Sequence, residues 1–421
     1  MAKFEIEGGY KLHGTIQVSG AKNAALKILP ASILADSSSE IANIPNISDI
    51  SVMVDILRSI GVKVDLNDHV ANIDPSKIDS YKPNTDLMKH LRGSIVLIGP
   101  LLAKFGKAEF SQPGGCLIGA RPIDDHLDIF KQMGIKISLK GDKYILDGKP
   151  KAGDIVLNKL SVSATENAIM ATVLSPGTTN IHVAAAEPEI TTLADYLNKM
   201  GAKISGAGTH DIVIEGVASL RGAKHDIIPD RVEAGTFLMA AVATNSEVKI
   251  GPVIPNHLNI VTKKLQAAGA KIEIVEENGL SFFQTRKYKE LKAVDIDTRT
   301  YPGFPTDLQS PFVTLMTQAI GTSQVFETLY EGRFLYLEEL ITMGAKVEIL
   351  SQHIIKVSGK KSLKGKEIFS RDIRGGAALI IAGLIAQGKT IINGLNFIDR
   401  GYEDIDGKLR SAGAHIKRID D

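Results

Sequence analysis

Apolar positions along the chain fall into two alternating helix patterns. The first is amphipathic. "ISVMVDILRSIG", "DHLDIFKQMG", "TTLADYLNKMG", "HLNIVTKKLQAAG", "YLEELITMG" and "YEDIDGKLRSAG" each mix apolar and charged residues at helical spacing. Each ends on a glycine that opens a short phrase: "GVKV" at Gly61, "GIKI" at Gly134, "GAKI" at Gly201 and Gly269, "GAKV" at Gly344 and "GAHI" at Gly413. Glycine adopts the positive φ of a helix C-cap at no steric cost, and the branched residues after it predict a strand. The second pattern is nearly free of charge: "AALKILPASILA", "SIVLIGPLLA", "ENAIMATVL", "AGTFLMAAVA", "PFVTLMTQAI" and "GGAALIIAGLIA". A helix that is apolar all round is buried on every side. Strand-like runs such as "EIANI", "TTNIHV", "SEVKIG" and "TSQVFE" follow these helices.

The two patterns recur together. Successive repeat glycines are 73, 67, 68, 75 and 69 residues apart, so six units cover nearly the whole chain. Pro30 and Pro100 fall eight residues after Lys22 and Arg92, so the expected helix kinks repeat as well. The class predicted is α/β, with six βαβ-type repeats, inner buried helices and outer sheets. Three units per globule give two similar domains.

Composition narrows the function. The 421 residues carry 49 basic and 48 acidic side chains, which argues against a nucleic-acid protein driven by bulk charge. Tryptophan is absent and aromatics make up only 5%, which gives little support to a base-stacking platform. The one cysteine, Cys116, cannot form an intrachain disulfide, which fits a reducing cytoplasm. The N-terminal "MAKFEIEGGYKLHG" has no apolar core of a signal peptide, and the longest apolar runs are too short to span a bilayer.

Charge is placed in register. The buried helices open with "AKNAAL" (Lys22, Asn23), "LRGSIV" (Arg92), "SVSATENA" (Ser161, Val162, Ser163, Thr165), "PDRVEAG" (Asp230, Arg231), "PTDLQS" (Thr306, Asp307) and "RDIRGGA" (Asp372, Arg374). Asp, Ser, Thr and Asn at such places read first as N-caps. Lys22, Arg92, Arg231 and Arg374 oppose the helix dipole and call for an anion or an acidic partner. Arg121 and Arg400 lie 13 residues before their repeat glycines and Arg333 lies 11 before its own, so equivalent loops carry arginine. Singly, each arginine reads as a solvated charge. Jointly, they read as a polyanionic substrate site where the two domains face each other. There is no phosphate-binding loop of the GxxxxGK[ST] form, no flavin or nicotinamide fingerprint and no clustered His/Cys metal set. "DDH" at Asp124 to His126 opens a helix, which favours capping over metal binding.

Within this frame "SGAKNAAL", "PGGCLIGARPIDDH", "PDRVEAGTF", "PTDLQ", "GRF" and "DRGYE" resemble the UDP-N-acetylglucosamine 1-carboxyvinyltransferase family of enolpyruvyl transferases over nearly the full length. The resemblance implies two inside-out α/β barrels, residues 22–229 and residues 1–21 with 230–421. It also implies an N-terminal strand in the second barrel and chain crossings near Gly20–Lys22 and Ile228–Arg231. It implies transfer of the enolpyruvyl group of phosphoenolpyruvate to the 3-hydroxyl of UDP-N-acetylglucosamine. No cofactor, metal, nucleic acid or membrane insertion is expected.

By the same resemblance Cys116 is the acid and forms a covalent adduct. A thiol near cations is also a reactive one on physical grounds. Asp307 is implied as the base, and Lys22, Arg121 and Arg400 as the grip on phosphoenolpyruvate. Arg92, Arg333 and Arg374 line the same cleft, with Arg231 and Asp372 counted among the binding set. Asn23 and Thr306 lie near the reacting sugar. Arg121, Pro122, Ile123, Asp124 and Asp125, with Lys159, Ser161, Val162 and Ser163, hold the UDP portion, and Leu329 contacts the sugar amide. Fosfomycin is expected to alkylate Cys116. The chain departs from the family pattern at Ala186, where arginine is usual, in "LRGS" and at Leu329. Two alternatives remain at this point: a 3-phosphoshikimate 1-carboxyvinyltransferase, and a non-catalytic UDP-sugar-binding paralogue.

Overall fold

The computed structural model describes residues 2–111, 114 and 122–420. Each amphipathic helix stops at its repeat glycine, which holds a left-handed φ between 82° and 108° in all six repeats. Six inner helices follow the charge-free pattern: α1 (Lys22–Ala31), α2 (Ile98–Phe105), α3 (Val162–Thr172), α4 (Arg231–Ala243), α5 (Gln309–Met316) and α6 (Ile373–Ile385). All of α1 but Asn23 is buried, as is all of α5.

The inner helices differ at their entrances. A 3-10 turn, Arg92–Leu97, leads into α2, and another, Thr306–Leu308, leads into α5. The two prolines expected to kink equivalent helices do not occupy equivalent places. Pro30 sits in the last turn of α1, before a 3-10 turn at Ser32–Leu34. Pro100 sits in the first turn of α2, after one. Each stands where α and 3-10 geometry meet, so its missing N–H interrupts no long ladder.

Sheets cover the inner helices. Among the described residues there are six: five of four strands and one of three. In the third repeat Asp154–Val156 pairs parallel with Thr178–His182 around α3, and the hairpin Lys203–Ser205/Asp211–Glu215 extends the sheet antiparallel. The three-stranded sheet, Lys107–Ser111 with Lys143–Asp147 and Lys136–Lys140, has a loop at its open edge, where the Glu109 N–H donates to the Tyr81 carbonyl at 3.2 Å.

Among the described residues, 20–111, 114 and 122–228 form one compact unit and 2–19 with 229–420 form a second, each around its own apolar core. Thr15–Gln17 pairs parallel with Lys249–Val253, so the strand before α1 belongs to the second unit. Lys224–Asp226 pairs parallel with Ser39–Ala42, so the strand before α4 belongs to the first. Lys3–Glu7 lies antiparallel between Lys389–Asn393 and His415–Ile419. Ser19, the last residue before the chain passes over, is held on all sides. Its N–H donates to Glu233 Oε2 and its hydroxyl to Glu403 Oε2, each at 2.6 Å. Lys408 Nζ donates to that hydroxyl at 2.6 Å and reaches Glu233 Oε1 at 2.7 Å. Burial pushes Glu233 up to about 7, with Lys408 pulling the other way.

In the first unit α2 and α3 meet at Gly99 and Asn167. A Cβ at Gly99 would stand 2.6 Å from the Asn167 carbonyl oxygen. The Gly99 N–H instead donates to Asn167 Oδ1 at 2.7 Å. Gly99→Ala is therefore expected to force the helices apart and destabilise the protein by about 1–3 kcal/mol. Urea unfolding checks it, and an unchanged midpoint refutes this account of the contact.

Candidate active site

Several of the expected site residues lie at the ends of inner helices, because the bodies of those helices are sealed. In the first unit Lys22 is the first residue of α1 and nearly buried. Its cation opposes the helix dipole, and Asp49 Oδ2, on the neighbouring helix Ser48–Arg58, answers it at 2.5 Å. Asn23, half-buried, follows it.

The two segments expected to hold the nucleotide come together. Pro122 and Ile123 lead into the helix Asp124–Gln132, and Ser161 and Val162 lead into α3. Lys159 Nζ pairs with Asp125 at 3.0 Å. His126 Nε2 lies 3.1 Å from Ser163 Oγ, and Arg92 donates to the Pro122 carbonyl at 3.4 Å. Asp124 and Asp125 occupy the first turn, while Ile123 is the N-cap, so neither aspartate caps this helix. Ser163 and Thr165 do not cap α3 either. Ser163 faces His126, whereas Thr165 Oγ1 donates to the Ser161 carbonyl and accepts from the Ala185 N–H. Both sit inside the helix, past the position from which a cap can reach. Cys116 and Arg121 lie outside the described residues.

In the second unit the centre is Asp307. Arg333 Nη2 bonds its Oδ1, and Arg374 Nη2 reaches its Oδ2 at 3.1 Å. Both arginines are nearly buried, while 28% of the Asp307 side chain is exposed. Burial would raise this carboxyl, but Arg374 and Arg333 outweigh it and hold it well below the usual carboxylate range. Arg374 also stands over the Tyr402 ring, 5.2 Å from its centroid. Its buried guanidinium and the Tyr402 hydroxyl also interact through a hydrogen bond.

Asp372 has a structural duty. Its Oδ1 accepts the N–H groups of Arg374 and Gly375 at 2.9 and 2.8 Å and caps α6. Asp230 caps α4 in the same way, through Val232 and Glu233. Arg231 stands 5.7 Å from the Tyr301 ring centroid. Arg400 is half-buried in the turn after the helix Leu395–Ile398, and Leu329 is 38% exposed.

Sequence reasoning missed three supporting groups. Glu327 is fully buried and accepts from Thr306 Oγ1 at 2.9 Å and from the Leu329 N–H at 3.0 Å, so it fixes two expected site residues at once. Asp49 and Glu189 both lie twelve residues before their repeat glycines, a register that could have revealed the Lys22 partner. His126 stands third in "DDH", a triplet whose composition points to capping and hides its role.

The fold and the comparisons with known proteins define a class, the carboxyvinyl (enolpyruvyl) transferases. The family model for EPSP synthase (3-phosphoshikimate 1-carboxyvinyltransferase) matches residues 6–409. The chain is 46% identical to the UDP-N-acetylglucosamine 1-carboxyvinyltransferase of Vibrio parahaemolyticus and, again at 46%, to that of Halothermothrix orenii, with all of each chain covered. It is 43% identical to the enzyme of that name from Coxiella burnetii, across all of this chain and 96% of the relative. Among solved structures, the enolpyruvyl transferase NikO from Streptomyces tendae matches with a TM-score of 0.89 at 24% identity, covering 99% of both chains. EPSP synthase from Acinetobacter baumannii matches with 0.77 at 18% identity over the whole of both. These two likenesses establish the two-domain inside-out barrel fold. The chain belongs to the EPSP synthase family of carboxyvinyltransferases. Among the described residues no helix is long and apolar enough to cross a membrane.

Asp307→Asn strands two buried guanidinium groups and is expected to cost about 3–5 kcal/mol at neutral pH. Because the carboxyl is held below its ordinary value, its contribution is fully present above about pH 4 and is lost only as pH falls further. Urea unfolding across pH therefore shows a constant gap between the two proteins down to about pH 4. A gap that closes between pH 7 and 5 contradicts the assignment.

Proposed function

We propose that this protein transfers the enolpyruvyl group of phosphoenolpyruvate to the 3-hydroxyl of UDP-N-acetylglucosamine and releases inorganic phosphate. This is the first committed step of bacterial peptidoglycan precursor synthesis, and it takes place in the cytoplasm. The observation that carries this reading is identity of 43–46% with enzymes of that name across the whole chain.

The chemistry is addition followed by elimination. A proton adds to the methylene carbon of phosphoenolpyruvate while the sugar oxygen bonds to the adjacent carbon and loses its own proton. A methyl proton then leaves, the carbon–oxygen bond to phosphate breaks, and the double bond re-forms. In this reading Cys116 supplies the first proton and forms a covalent adduct. Asp307 accepts the hydroxyl proton. Its ionisation suits a base, but two arginines weaken it. A substrate anion beside Arg374 would share that guanidinium charge and return basicity to Asp307.

Lys22, Arg121 and Arg400 hold phosphoenolpyruvate, and Arg92, Arg231, Arg333 and Arg374 supply further positive charge. Asp372 contributes by capping α6 beneath Arg374. Asn23 and Thr306 place the reacting sugar, and Leu329 meets its amide. Arg121 through Asp125 and Lys159 through Ser163 hold the UDP portion, a role that the Lys159–Asp125 and His126–Ser163 contacts support. The reaction requires no metal or organic cofactor.

Shikimate 3-phosphate is the rival acceptor. Phosphate release with each acceptor separates the two, and binding of the sugar nucleotide without turnover would instead mark a non-catalytic paralogue. Cys116→Ala is expected to abolish phosphate release, while Cys116→Asp retains part of it by restoring an acid. Fosfomycin should alkylate the native protein at Cys116 and leave Cys116→Asp without that thioether mass. Full turnover by Cys116→Ala would remove the cysteine from the acid role.

A further inference from the structure

We infer that His126 and Asn167 are positioning residues that commit the Ser163 hydroxyl to donate its hydrogen bond to an acceptor-only oxygen of a nucleoside diphosphate. This deepens the reading above and rests on the assignment of Lys159 through Ser163 to the nucleotide.

The argument starts at backbone groups, whose polarity is fixed. The buried Asn167 side chain lies between the Gly99 N–H, 2.7 Å from its Oδ1, and the Ile95 carbonyl, 3.0 Å from its Nδ2. An N–H only donates and a carbonyl only accepts, so the amide has one permitted orientation. Its remaining Nδ2 proton faces His126 Nδ1 at 2.9 Å. That nitrogen must therefore present its lone pair. The imidazole proton then sits on Nε2 and is given to Ser163 Oγ at 3.1 Å.

Protonating both nitrogens would set one N–H against another. Burial of His126, with the charges of Arg92 and Lys27 adding to it, pushes its pKa down to about 3, so the ring stays neutral. Ser163 Oγ already accepts from His126 and has no other hydrogen-bond partner among the described residues. Its own O–H is left to point elsewhere. It does so at the second residue of α3, beside backbone N–H groups that lack intrahelical acceptors. Accepting from His126 turns the O–H away from the ring, where it is available to donate. Diphosphate oxygens accept and never donate, so the match is preorganised.

Two measurements on the full chain test this. Nitrogen-15 NMR of the ligand-free protein should show His126 as the Nε2–H tautomer without titration between pH 5 and 8. An Nδ1–H tautomer, or an ordinary titration near pH 6.5, overturns the relay. In phosphate-release kinetics, Ser163→Ala should raise KM for UDP-N-acetylglucosamine roughly tenfold and move KM for phosphoenolpyruvate less than twofold. His126→Phe should raise the same KM when Ser163 is present and add nothing in the Ser163→Ala background. A His126→Phe effect of equal size in both backgrounds means a general structural role and defeats the proposal. The NMR result holds whatever the acceptor. Absence of phosphate release from the native protein with this nucleotide would instead sink the functional reading.

Discussion

An inner helix with no polar face has to be covered on every side, and the placement of function follows from that constraint. Sheets and outer helices surround α1 to α6, so the middle of each inner helix is closed to chemistry. Only the ends remain available. The N-terminal ends carry unpaired N–H groups and partial positive charge, which suits phosphate and carboxylate. Lys22, Ser163, Asp307 and Arg374 all stand in those first turns or in the 3-10 turns that lead into them.

Placing cations there has a cost that the protein meets locally. Lys22 faces Asp49, and Arg374 faces Asp307 above an Asp372 cap. These partners keep the buried charges tolerable. Behind the charged residues lie buried hydrogen-bond sets, Glu327 with Thr306 and Leu329, and Asn167 with His126. They give each contact one geometry and one polarity.

The repeat architecture was legible in the sequence because its signals are local. Period, glycine caps and charge-free runs can all be read within a dozen residues. Resemblance was needed for the chain passages, because an edge strand such as Lys224–Asp226 carries no mark of pairing with Ser39–Ala42. The site was half legible. Charged residues announced themselves by opposing helix dipoles, but their partners did not, for Asn167 lies 41 residues from His126 and Glu327 lies 21 from Thr306. Ser163, Thr165 and Asp124 do not cap, because cap preference is compositional while capping itself depends on where the first turn begins.

The N-terminal strand has a consequence for biosynthesis. The first unit's described residues lie between positions 20 and 228, and its last sheet closes when Lys224–Asp226 reaches Ser39–Ala42. Lys3–Glu7 leaves the ribosome before any of this, yet Phe4 pairs with Ile392 and Arg418. It must therefore wait, with both edges unpaired, while some 380 residues are translated, a time in which open strand edges invite aggregation. Its sequence, "KFEIE", alternates the two core side chains Phe4 and Ile6 with Lys3, Glu5 and Glu7. Those three charges keep the waiting strand soluble until its partners are made.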